Sequence, residues 1–169
     1  TLVRIQKNGR GKWWIGKILW VDHPANLASL MVDDDAFWSG TKPVEFNGQI
    51  PADGSLQMVR WNNGVLESSK AEFVKFVVEE SQTSGINYVQ IKANVDLHGG
   101  GWGEPIVSDS HVVGIVTEQN ETVCSVTPAS FIQSILEAHR GGAYRGLGYF
   151  HFYWQRAENI ESLQHLGLK

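Results

Sequence analysis

Short β-prone runs separated by turn chemistry dominate the first three-quarters of this sequence, and they constrain the fold more than anything else in it. "LVRIQKN", "KWWIGKILWVD" and "LASLMVDD" are divided by "GRG" and "HPAN". "DDDAFWSG" interrupts them as a loop or helical turn. The strand series then resumes through "LQMVRW", "GVLESSKAEFVKFVVEES", "NYVQIKA", "EPIV", "HVVGIVTE" and "TVCSVT". Glycine, proline and asparagine at the breaks supply turn backbone, and "WNNG" predicts a two-residue type I′ hairpin because Asn-Gly accepts positive φ. Many short strands at regular spacing predict a β-barrel or sandwich. "TPASFIQSILEAHRGG" predicts one helix, capped by Thr127 with Pro128 at its first position. Ile132, Ile135 and Leu136 form its apolar stripe, and Gly141 and Gly142 end it. A strand–helix tail follows, "LGYFHFYWQ" and then "AENIESLQHLGL".

The chain has 169 residues, long enough for one medium domain with a real core. With 18 acidic and 14 basic residues and no basic stripe, nucleic acid is not an expected partner. Apolar runs such as "VVGIV" are too short to span a bilayer as a helix. No basic segment followed by an apolar one opens the sequence, and its start at "TLVRIQ" is abrupt, so the compartment stays open on these grounds.

The single cysteine, Cys124, excludes an internal disulfide and reads as a buried thiol on a strand. Six histidines show no metal-ligand spacing, so neither a metal nor a cofactor is expected. Ser108 and Ser110 beside His111 resemble a catalytic pair only on paper. Neighbours on a strand point to opposite faces, and "SDSHVV" reads as a polar hairpin. His98 reads as a loop residue. "NET" (Asn120 to Thr122) has the form of a glycosylation sequon and carries no weight. Most of the seven tryptophans are expected to pack on the core or on strand faces. Trp13 and Trp14 are adjacent and must face opposite ways, leaving at least one exposed.

Four segments, in order, resemble the HtrA/Deg type of trypsin-like serine protease: "DHPANLASLMVDDDAFWSGTKPVEF", "GGWGEPIVSDSHVVGIV", "SVTPASFIQSIL" and "YRGLGYFHFYWQ…ESLQHLGL". The resemblance implies an all-β-dominated, trypsin-like double β-barrel with its first barrel incomplete. A C-terminal helix and a short tail like the start of a PDZ domain complete the expectation. The division would be 1–142 for the protease fold and 143–169 for the PDZ-like segment. The same resemblance places the catalytic serine at Trp102 and the catalytic carboxylate at Asn26. It places the oxyanion-hole backbone at Gly100 and Trp102, and the histidine upstream of "TLVRIQ". Asp96 falls near the base of the substrate pocket.

Such a triad needs a hydroxyl nucleophile and a carboxylate to orient the imidazole. Indole is no nucleophile, and an amide at position 26 favours the wrong tautomer. Glu104, two residues after Trp102, would repel a developing oxyanion. The resemblance therefore implies a pseudoprotease, with no catalytic residues, that binds peptide or protein or serves regulation and assembly. Gly146, Leu147, Gly148 and Tyr149 would be its peptide-binding loop. Trp102 either lies at the mouth of the former cleft or plugs it. A homo-oligomer, trimeric like the family, is expected, with the Trp13–Trp14 and Phe37–Trp38 pairs as candidates for subunit packing. The implied location is extracytoplasmic or organellar. Two alternatives stand beside this: a fragment of an active endopeptidase, and an aromatic-surface binder of carbohydrate or protein. The last requires several tryptophans exposed in one row.

Overall fold

The computed structural model describes residues 2–80, 85–96, 102–142, 144–148 and 160–167. The β-prone runs that precede the long helix all become strands. β1 (Val3–Gln6), β2 (Trp13–Asp22) and β3 (Leu27–Met31) form an open antiparallel sheet in the order β1-β2-β3. α1 (Asp35–Trp38) is a single turn, begun by the Asp34 carboxylate accepting from the Ala36 N–H at 3.0 Å. β4 (Ser55–Asn62), β5 (Val65–Glu80), β6 (Asn87–Val95), β7 (Pro105–Ser108), β8 (His111–Asn120) and β9 (Val123–Pro128) form a ring in the order β4-β5-β6-β9-β8-β7. The ring closes through two residue pairs between β4 and β7, Gln57 with Val107 and Met58 with Ile106.

The β4–β5 hairpin turns through Asn63 (φ 49°) and Gly64 (φ 82°), with Asn62 paired to Val65. This is the type I′ geometry that Asn-Gly predicts. Alternation along the strands sends Leu56, Met58, Ile91, Ala93, Val95, Ile106, Val113, Val116, Cys124 and Val126 into the ring's interior, where they form the main buried cluster. The Cys124 thiol is fully buried, and burial, with the Glu104 carboxylate second, pushes its pKa up to about 11.

α2 (Ala129–Arg140) buries Ala129, Ile132 and Ile135, while Leu136 stays half-buried. Thr127 does not cap it. The β9 ladder runs on through Pro128, so Thr127 is paired with Ile115 and its side chain is buried beside the Tyr88 hydroxyl at 3.4 Å. Pro128, in extended backbone, is the cap instead, with no side-chain bond. Phe131 on α2 stacks over Tyr88 at 5.3 Å, which seats the helix on the outside of the ring. Gly141 and Gly142 end it as expected, the latter at φ 68°. Of the tail, the helix is α3 (Ile160–His165), residues 144–148 are irregular, and most of the expected strand lies outside the described residues.

Candidate functional site

Trp102 sits on a bend just before β7. The bend hangs on β8 through two backbone bonds, Gly103 N–H to Val116 O at 2.8 Å and Val116 N–H to Glu104 O at 2.9 Å. Gly103, at φ 93°, supplies the left-handed backbone that the bend needs. The Trp102 ring is 72% exposed and touches no other aromatic ring among the described residues, so it plugs nothing there. Of the proposed oxyanion backbone, Gly100 lies outside the described residues, as does His98. Glu104 is half-buried and acts on the buried Cys124 thiol.

Asn26 closes the turn between β2 and β3. Its N–H donates to His23 O at 3.1 Å, and its φ is 54°. Asn and Asp are the side chains that best tolerate this left-handed region, so the turn itself accounts for an Asx residue here. Asp22 shapes the same turn by accepting the Ala25 N–H at 2.9 Å. No hydrogen bond or ring contact joins Asn26 to Trp102. Asn26 lies in a turn of the open sheet and Trp102 in a bend beside the ring.

The other candidates resolve simply. Asp109 (φ 47°) and Ser110 (φ 67°) form the tight β7–β8 turn, with Ser108 paired to His111. His111 Nδ1 lies 2.8 Å from Asp109 O, and its Nε2 is 3.4 Å from a Glu45 carboxylate oxygen, so His111 serves the hairpin and no serine. Asp96 is exposed at the end of β6, its N–H donating to Lys70 O at 3.2 Å. Gly146, Leu147 and Gly148 are irregular, with Gly146 at φ 98°. Tyr149 lies outside the described residues.

The expectation that most tryptophans pack is corrected. Trp13, Trp38, Trp61 and Trp102 are all close to half exposed or more, and only Trp61 lies on a strand of the ring. The four come from β2, α1, β4 and the bend before β7. Trp14 and Trp20 are half-buried, and Trp14 packs edge-on against Phe37 at 5.7 Å.

Sequence reasoning missed one cluster altogether: Trp20, Asp22, His139 and Tyr144, brought together where the open sheet meets the end of α2. Its only local signal is an aspartate ahead of the "HPAN" turn. Among the described residues no group of three His, Cys, Asp or Glu side chains is placed to hold a metal, and no helix is long and apolar enough to cross a membrane.

No family model matches the chain. The mitochondrial Do-like 11 protein of Arabidopsis thaliana is 25% identical over 166 residues, covering 98% of this chain and 29% of that protein. A chloroplastic Do-like 2 protease of Arabidopsis thaliana is 22% identical over 169 residues, covering 94% of this chain and 28% of that protein. The chain thus spans less than a third of the length of these relatives. Among solved structures, the HtrA-type protease AlgW with a decapeptide superposes with a TM-score of 0.65 at 14% identity, over 94% of this chain and 50% of that one. Sequence relatives and solved fold agree: this chain has the HtrA/Deg-type trypsin-like protease fold.

Proposed function

We propose that this chain belongs to a protease homologue without hydrolytic activity, one that binds peptide or protein segments as a recognition or assembly module. The observation that carries this reading is Trp102. It stands where the family resemblance puts the serine, and its exposed indole offers one N–H and a π-face but no nucleophile. Asn26 supports it, since an amide in place of the carboxylate alone costs about 10⁴ in rate in a serine triad. Peptide is the ligand class favoured by the AlgW neighbour, which was solved with a decapeptide. The relatives' mitochondrial and chloroplastic names favour an organellar setting. In this reading residues 1–142 are the protease-fold part, 143–169 begin a PDZ-like segment, and the protein assembles with copies of itself.

The test has two arms. Wild-type chain is treated with a serine-directed fluorophosphonate and, separately, with unfolded casein. Neither labelling nor cleavage is expected, and either one makes this part of an active endopeptidase and overturns the proposal. An arrayed decapeptide library is then screened against wild type and Trp102→Ala. Binding that weakens in the variant is expected, and a library that binds neither protein removes the recognition role.

A further inference from the structure

We infer that Asp22, His139 and Tyr144 form a clasp that couples the segment after α2 to the turn carrying Asn26. The three side chains come from the end of β2, the last turn of α2 and the irregular stretch 144–148. Asp22 is 5% exposed, and its two oxygens do different work. Oδ1 holds the 23–26 turn through the Ala25 N–H at 2.9 Å. Oδ2 faces His139 Nε2 at 3.8 Å. The His139 ring lies flat on Trp20, with centroids 3.9 Å apart and planes 5° from parallel, and the Tyr144 ring packs tilted against the same His139 ring, with centroids 4.4 Å apart.

Asp22 Oδ2, His139 Nε2 and the Tyr144 hydroxyl are all buried, and none makes a well-formed hydrogen bond among the described residues. Buried polar atoms without bonds are costly, and folds seldom keep three together. Here the gap to a bond is small: closing 3.8 Å to hydrogen-bond range takes about an ångström. Burial and the Asp22 carboxylate together hold the Tyr144 hydroxyl protonated, as a donor should be. The other charged or titratable side chains nearby in sequence, His23, Glu137, Arg140 and Arg145, are exposed.

One carboxylate thus holds the turn with one oxygen and faces His139, on which the Tyr144 ring packs, with the other. Displacing residues 144–148 unloads Asp22 and loosens the turn, and by linkage loosening the turn releases 144–148.

The experiment is residue-resolved amide hydrogen exchange on the whole chain. Tyr144→Phe removes a single oxygen, Asp22→Asn neutralises the carboxylate, and Arg145→Ala alters an exposed neighbour as control. Tyr144→Phe is expected to speed exchange at Ala25 and Asn26 by about tenfold, with Val113 and Val126 in the ring unchanged. Asp22→Asn should do the same across 144–148, and the double variant should exceed neither single one by much. Arg145→Ala should move neither region. The proposal is overturned if Tyr144→Phe leaves Ala25 and Asn26 untouched, or if the two single effects simply add. Should Asp22→Asn not fold, Tyr144→Phe alone decides.

Discussion

Replacing Gly114 with alanine should weaken the fold through contact alone. Gly114 is not in the left-handed region, so backbone strain plays no part. A Cβ built there meets the Thr127 carbonyl oxygen at 2.5 Å and Val126 Cγ1 at 2.6 Å, both on β9. Neither can step aside: the carbonyl belongs to the β8–β9 ladder, in which Gly114 pairs with Pro128, and Val126 is fully buried. The strands must part, and overpacking of this kind costs about 1–3 kcal/mol. Alanine also restricts the unfolded chain, which offsets about 0.4–1 kcal/mol. Taking the middle of each range, the net loss is about 1–2 kcal/mol, or about 2–8 °C in Tm for a chain of this size. Urea unfolding followed by far-UV circular dichroism measures it. Gly48→Ala is the control, because its nearest new contact, Ser130 Cβ, is an ordinary 3.7 Å away and its φ is not positive. A Gly114→Ala midpoint equal to wild type, with unchanged m, would refute the steric reasoning.

Three further outcomes are expected. Cys124 should react with a disulfide reagent at pH 8 only as fast as the chain opens. Because its folded pKa is raised to about 11 from 9.0, the unfolded chain loses its proton first, so stability should fall as pH climbs from about 9 towards 11; equal reactivity of folded and unfolded protein would contradict this. Gly64→Ala should cost about 1 kcal/mol in the same urea assay, since φ is 82° and the added Cβ meets Arg10 Cδ at 2.5 Å. Glu67, whose carboxyl is held below its usual range first by the Arg60 hydrogen bond at 2.7 Å and then by Asn62, should lend stability above its unfolded value and lose it as pH falls lower; Glu67→Gln should flatten that part of the acid-unfolding curve.

The legible parts of this fold are those written in local backbone chemistry. Asn63-Gly64 announces its hairpin, and alternation from Leu56 to Met58 or from Ile91 to Val95 announces the buried faces. Gly141-Gly142 announces the helix end. The Thr127 error arose where two local rules compete, because a hydroxyl before proline suits a helix cap equally well as a buried strand end. Pairing with β8 decides for the strand. Gly103 permits the bend at Trp102, but the β8 partner from which that bend hangs is encoded by no neighbouring residue. The Asp22–His139–Tyr144 cluster spans more than a hundred residues of sequence and exists only because α2 returns to the first sheet. Asn26 was visible by resemblance, yet the left-handed turn that suits it was not.

The ring's closure has a mechanical consequence. Most of its strands are joined by long ladders, whereas β4 and β7 meet through two pairs whose members lie some fifty positions apart in the chain. That junction closes the largest loop for the fewest bonds, which makes it the natural last step of folding and the first place to unzip. The strand that unzips is the one that follows Trp102. Brief fraying there would bare the β4-facing edge of β7 while the Trp102 bend stays hung on β8 through Val116 and the remaining ladders stay shut.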